Sequence, residues 1–198
     1  MAKLTFRYGA MGSGKTANLL QVAYNYNERG REVAVMKPVI DTKSGMNIDT
    51  RIGLNRTADH LISPREDIYK TIAAKFPTVR HIFVDEAQFL TRKHAEQLQQ
   101  VAVFLDIPVT AYGLRCDGLQ ESWPGSRRLL EIADCLEEIP TICDCGNNAT
   151  LNARFLNGQM QLSGPKTVID DGSTQIVFSC LCPTCYHREK RKMRQNVV

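Results

Sequence analysis

Eight residues near the start of the chain, Gly9-Ala10-Met11-Gly12-Ser13-Gly14-Lys15-Thr16, follow the pattern G-x-x-x-x-G-K-T. Glycines at these positions let the backbone curl so that its N–H groups face a phosphate, and a helix starting here adds its dipole. Lys15 then reaches the β- and γ-phosphates of ATP, and the Thr16 hydroxyl ligates Mg²⁺. Such a loop needs an acidic partner on a neighbouring strand, and HIFVDEAQF offers a hydrophobic run ending in Asp85 and Glu86. Asp85 completes the magnesium shell. Glu86 stands at the carboxyl edge of its strand, where α/β sheets bind ligands, and can accept a proton from whatever oxygen attacks the γ-phosphate. The expected ATP contacts are therefore Gly9 to Thr16 together with Asp85, Glu86, Ala87 and Gln88. If water attacks, the chemistry is ATP hydrolysis; if a substrate hydroxyl attacks, it is phosphoryl transfer. The two motifs leave both open.

A second group of reactive residues lies far along the chain. Cys143-Asp-Cys145 and Cys182-Pro-Thr-Cys185 are two short-spaced pairs with 36 residues between them. Four thiolates from two such knuckles make a closed tetrahedral zinc site, which is structural rather than catalytic. Zinc would stabilise a lobe too small to fold on apolar burial alone. Cys180 and His187 are further donors close by, whereas Cys116 and Cys135 read as core or loop residues.

The elements that must position these groups follow from pattern. Alternating strand and helix over the first 140 or so residues predicts a parallel α/β sheet. Strands are expected at 4–8, 33–36, 81–84 and 109–112, and a helix at 15–29 stopped by Gly30. Thr91 caps a helix whose Ala95, Leu98, Val101, Ala102 and Leu105 share one apolar face. Ser126 is expected to cap another, with Leu129, Leu130, Ile132, Ala133 and Leu136 inward. The polar stretch 41–64 reads as one long loop, and 113–125 as a loop carrying Trp123. After Pro140 the texture changes to short segments and cysteine pairs. The expected division is a P-loop α/β domain at 1–139, a zinc domain at 140–190 and a disordered basic tail at 191–198.

Composition narrows the function further. The net charge is +4, but Arg188, Lys190, Arg191, Lys192 and Arg194 against Glu189 account for all of it. The neutral body argues against a nucleic-acid-binding face, which wants distributed basic charge. No apolar run reaches the roughly 20 residues of a membrane helix. Cysteines clustered for metal rather than spread as a disulfide framework point to the cytoplasm.

In order, GAMGSGKT, KPVIDT, RIG, VDEAQFL, DIPVTAYGLRCD, CDCGNNAT and CPTCY resemble the zinc-containing, cytosolic type of thymidine kinase. The likeness covers nearly the whole chain, and bacterial and phage members share the C-x-C first pair. It implies transfer of the ATP γ-phosphoryl group to the 5′-hydroxyl of thymidine with Mg²⁺, with Glu86 as the base. It also implies substrate contacts at Met11, Asp41, Arg51, Phe89 and Trp123. The segment Lys166, Thr167, Val168, Ile169 and Asp170 would close over the nucleoside and bind thymine through its backbone. Phe178 stands where the family usually has a tyrosine, and Lys43 where it has an arginine. A homotetramer is implied as well. The rivals are a nucleic-acid-stimulated ATPase, suggested by the DEAQ segment, and a non-catalytic nucleotide-binding or zinc module.

Overall fold

A computed structural model describes residues 1–39, 45–164 and 176–195. Six parallel strands form the central sheet: β1 (Leu4–Tyr8), β2 (Val33–Pro38), β5 (His60–Ile62), β6 (His81–Val84), β7 (Val109–Gly113) and β8 (Cys135–Glu138). Their spatial order is β5-β2-β6-β7-β1-β8. The central strands are buried on both faces and read as nearly continuous apolar runs, as parallel sheets require.

Alternation along each strand sends neighbouring side chains to opposite faces. Phe6, Ala34, Met36, Ile82, Val84 and Ala111 meet Ile68, Ile72, Ala95, Leu98, Val101 and Leu129. The latter come from α2 (Ile68–Lys75), α3 (Arg92–Phe104) and α4 (Pro124–Ile132). On the other face, Val33, Val35, Phe83 and Tyr112 meet Leu19, Leu20 and Ala23 of α1 (Lys15–Glu28). The result is three layers, with the carboxyl ends of the strands left free for a ligand.

The structure corrects several expectations. Residues 45–64 are not one loop: β3 (Asn47–Asp49) and β4 (Asn55–Thr57) form a hairpin, and β5 extends the sheet beside β2. Each of these strands is three residues long, too short to show a period. The hairpin is held because Ile48 is buried under α1 and the buried Lys37 Nζ donates to Asn47 O at 2.7 Å. Ser126 is not a cap. α4 begins after Trp123 with Pro124 in its first turn, and the Ser126 hydroxyl donates to Leu114 O at 2.6 Å. Leu136 is not on a helix; it lies on the edge strand β8 and is 49% exposed. The basic tail is helical rather than disordered through Gln195, as part of α5 (Pro183–Gln195).

After β8 comes a small lobe built on β9 (Leu151–Leu156), β10 (Gln159–Met160) and β11 (Ile176–Leu181), an antiparallel sheet of order β10-β9-β11. It docks on the loop that follows β7. Arg115 Nη2 donates to Thr150 O at 3.0 Å, Asn152 Nδ2 to Cys116 O at 2.8 Å, and Tyr186 OH to Gly118 O at 3.2 Å. Asp117 stiffens that loop, its Oδ1 accepting from Leu119 N and Glu121 N. Among the described residues no helix is long and apolar enough to cross a membrane.

Candidate active site

The phosphate loop leaves β1 at Gly9 and enters α1 at Lys15. Gly14, immediately before the helix, sits at φ 77°, a left-handed conformation that glycine adopts without strain. α1 has no capping side chain, so its first N–H groups are directed at the space in front of the loop. Lys15 Nζ lies across the loop mouth, donating to Ala10 O at 2.8 Å, Gly9 O at 3.3 Å and Ser13 Oγ at 3.3 Å. Burial lowers its pKa, and the charges of Glu86 and Asp85 pull it back up.

Asp85 and Glu86 arrive from the end of β6. Their strand is not the immediate neighbour of β1, because β7 lies between them. Asp85 nevertheless spans the gap: the Thr16 hydroxyl donates to its Oδ1 at 3.4 Å. Only 4% exposed, its carboxyl group is pushed up to about 7, first by burial and then by the charge of Glu86. Two oxygens of this kind side by side fit Mg²⁺, a hard cation that takes one or two protein oxygens and keeps several waters.

Glu86 adopts φ 49°, a left-handed conformation uncommon outside glycine and asparagine. It opens a 3-10 turn, Ala87–Phe89. The Gln88 side chain donates through Nε2 to Glu86 Oε2 and accepts Leu114 N through Oε1 at 3.1 Å. Gln88 thus faces the carboxylate and the following loop, and orients Glu86. Ala87 is fully buried in the main core. Gly125, in the first turn of α4, is pressed against this segment. A Cβ there would meet Ala87 O and Leu90 O at 2.6 Å, so the turn that carries Glu86 is held from behind.

The cleft in front of these groups has a volume of about 580 Å³. Met11, Gly12, Gly14, Lys15, Thr16, Asp85 and Glu86 line one side, and Ile48, Asp49, Thr50, Arg51 and Ile52 of the hairpin line the other. The hairpin contribution, apart from Arg51, was not legible in the sequence; Gly53, at φ 85°, was the one local turn signal. The sequence also gave no sign that Met11 N donates to Asn152 Oδ1 of the small lobe at 2.8 Å.

The expected substrate contacts divide three ways. Met11 and Arg51 line the cleft. Phe89 and Trp123 come together as an edge-to-face pair, with centroids 6.1 Å apart and planes at 74°, outside the cleft lining. Phe178 lies on β11 opposite Arg154 and is 36% exposed, also outside that lining. Asp41 and Lys166, Thr167, Val168, Ile169 and Asp170 lie outside the described residues.

In the small lobe the sulfurs of Cys143, Cys145, Cys182 and Cys185 all lie within 4.8 Å of one another. Four thiolates around one zinc at ~2.3 Å stand roughly 3.8 Å apart, so this cluster can hold zinc. One cysteine of each pair is shifted toward the thiolate. The backbone N–H of Asn147 lowers Cys145, and that of Cys185 lowers Cys182. Hydrogen bonds with the Cys145 and Cys182 sulfurs push Cys185 up to about 12. Cys180 and His187 are not part of the group.

Most of the chain is similar to known proteins. The family model described as thymidine kinase matches residues 2–186. A Coxiella burnetii protein named thymidine kinase is 48% identical over 159 residues, covering 78% of this chain and 81% of its own length. One from Ruegeria pomeroyi is 41% identical over 180 residues, covering 89% and 90%. Another, from Francisella tularensis SCHU S4, is 38% identical over 188 residues, covering 93% and 95%. Matched from β1 to the last cysteine pair, the chain belongs to the thymidine kinase family.

Proposed function

We propose that this enzyme phosphorylates thymidine in the cleft between the phosphate loop and the β3–β4 hairpin, with Glu86 as the general base. The observation that carries the reading is the convergence of Lys15, Thr16, Asp85 and Glu86 on one side of a single cleft. ATP lies with its phosphates on the N–H groups of the loop and its γ-phosphate toward Lys15. Glu86 takes the proton of the 5′-hydroxyl. The O5′–P bond forms as the bond from phosphorus to the β,γ-bridging oxygen breaks, giving dTMP and ADP. Thr16 and Asp85 would hold Mg²⁺, which neutralises charge developing on the phosphates. Arg51, on the opposite wall, adds a second cation. Gln88 keeps Glu86 aimed, so the base is pre-positioned rather than recruited.

Thymine recognition falls to Phe89, Trp123 and the backbone of Lys166, Thr167, Val168, Ile169 and Asp170, with Asp41 near the nucleotide. Closing that segment over the nucleoside would keep out water that otherwise hydrolyses ATP. Zinc in the four-cysteine cluster fixes the lobe from which the segment springs. We place the enzyme in the cytoplasm as a homotetramer, a state that light scattering of the purified protein tests directly.

One assay separates this reading from its rivals: release of ADP from ATP with thymidine, and then with single-stranded DNA. Thymidine-dependent ADP with dTMP formed is the expected result. ADP release that depends on DNA alone would make the protein a motor, and no ADP in either case would make it a binding module.

A further inference from the structure

We infer that Asn152 is a positioning residue for the phosphate loop, holding it from the zinc lobe so that ATP affinity depends on the lobe. This rests on the loop being the ATP site, as proposed above. Asn152 is 3% exposed and belongs to β9, outside the nucleotide domain. Its Oδ1 accepts Met11 N at 2.8 Å and its Nδ2 donates to Cys116 O at 2.8 Å. The orientation of the carboxamide is fixed by its partners, because a backbone N–H can only donate and a backbone carbonyl can only accept. One side chain therefore ties together the phosphate loop after β1 and the loop after β7.

The function of this tie follows from where Met11 lies. Phosphate binding uses the N–H groups of the inner loop and the first turn of α1. Met11 is at the outer bend, ahead of Gly12 and Gly14 with their left-handed φ of 75° and 77°. Two such glycines make a flexible loop, and an anchored Met11 N–H limits the conformations it must abandon when a triphosphate binds.

The anchor is only as firm as β9. Asn152 pairs with Cys180 of β11, and the next pair, Leu151 with Leu181, abuts the ligand Cys182. On the other side, Cys143 N donates to Asn147 O at 2.9 Å, and Ile142 bridges to Asn148 just before β9. Both zinc knuckles thus close the same end of the ladder that carries Asn152. The coupling is reciprocal: what steadies the loop also steadies the lobe.

The test uses the zinc-loaded enzyme, Asn152→Leu, and Tyr186→Phe as a control that loses a lobe tether without touching the phosphate loop. Calorimetry measures Kd for a non-hydrolysable ATP analogue with Mg²⁺ and, separately, for thymidine; a chromophoric chelator measures the rate of zinc release. Asn152→Leu should weaken analogue binding about tenfold, the size expected for a lost buried hydrogen bond whose partners stay unpaired. Thymidine binding should change less than twofold, with one zinc per chain retained. The analogue should slow zinc release several-fold in the parent and in Tyr186→Phe, and not in Asn152→Leu. Asn152→Ser, which also cannot reach Met11, substitutes if the leucine does not fit. Analogue binding within twofold of the parent, or zinc release slowed equally in all variants, overturns the inference, as does loss of zinc from both Asn152 variants. A parent enzyme that fails to bind the analogue overturns instead the assignment of the loop.

Discussion

On one face of the six-stranded sheet a single buried cluster runs from Leu4 on β1 to Leu129 on α4, drawing on five strands and three helices. In the small lobe the buried cluster is Cys143, Ala149, Ala153, Met160, Leu181, Cys182, Cys185 and Tyr186. Three of these eight residues are cysteines of the candidate zinc cluster. The first region keeps its shape by burying apolar surface, so the loss of any one residue is shared among many. The second gathers four sulfurs, and with zinc bound there, as proposed, the loss of one would remove the bond network that the others need. The phosphate loop and the acidic pair stand on the first region, whereas Asn152, whose Oδ1 accepts Met11 N of that loop, stands on the second.

Cys182→Ser tests the fragile side and should have the largest effect. Structural zinc contributes roughly 10–16 kcal/mol of apparent binding free energy in small zinc domains at neutral pH, far more than a lobe of this size holds in apolar burial. Metal analysis should find zinc lost and solubility reduced, while far-UV circular dichroism keeps the signal of the α/β sheet. Full zinc content in this variant would mean that the four-cysteine assignment is wrong. Loss of the whole sheet signal would mean that the two regions do not fold by separate means.

Glu86→Gln probes the robust side. The scaffold should not notice the change: Tm should move little, and ATP should bind as before. Turnover should fall by at least ~10², the usual contribution of a positioned base. Near-normal turnover removes Glu86 from the reaction and leaves Asp85 as the acid to examine.

Asp85 offers a subtler contrast. Its carboxyl group, pushed up to about 7 by burial and by Glu86, binds a proton more tightly folded than unfolded. The associated stability is present in full below the unfolded value near 4, and is lost progressively as pH rises through about 7. The same proton competes with Mg²⁺ for the carboxylate. The Mg²⁺ concentration giving half-maximal rate should therefore rise as pH falls from 8 to 6. Asp85→Asn should raise Tm at pH 8 more than at pH 5 while abolishing that competition. A Mg²⁺ requirement independent of pH would take the ion away from Asp85.

How much of this was legible follows the same divide. The phosphate loop, the strand ending in Asp85-Glu86 and the helix after Thr91 announce themselves because local rules fix them: two glycines, an apolar run, a cap with a 3.6-residue period. The cysteine pairs are legible because metal ligands must be near each other whatever lies between. The β3–β4 hairpin was read as loop, since three-residue strands carry no period, and it is held by long-range contacts from Ile48 and the buried Lys37. Ser126 misled for a related reason. A serine near a helix start is a natural cap, yet here Trp123 precedes Pro124 at the true start and the hydroxyl serves Leu114 instead. Leu136 continued the apolar pattern of α4 past its end and into an edge strand. Asn152 could not be found at all, since nothing local marks an asparagine in a strand that ties two distant loops.

The smallest effect should come from Thr91→Ala, where local redundancy can be measured. The Thr91 hydroxyl accepts His94 N at 3.1 Å, and His94 Nδ1 accepts Thr91 N at 3.4 Å, a reciprocal capping box at the start of α3. His94 can accept only while neutral, and burial lowers its pKa, so the box is intact at neutral pH. Removing the hydroxyl should cost about 1 kcal/mol, or roughly 2–4 °C in Tm for a chain of this length. The helix persists because Ala95, Leu98, Val101 and Ala102 remain buried against the sheet. Zinc content and the affinities for ATP and thymidine should not change. A large fall in Tm, or zinc lost with the cap, would mean that the sheet region lacks the redundancy that its buried cluster implies, and that the two regions share one cooperative unit.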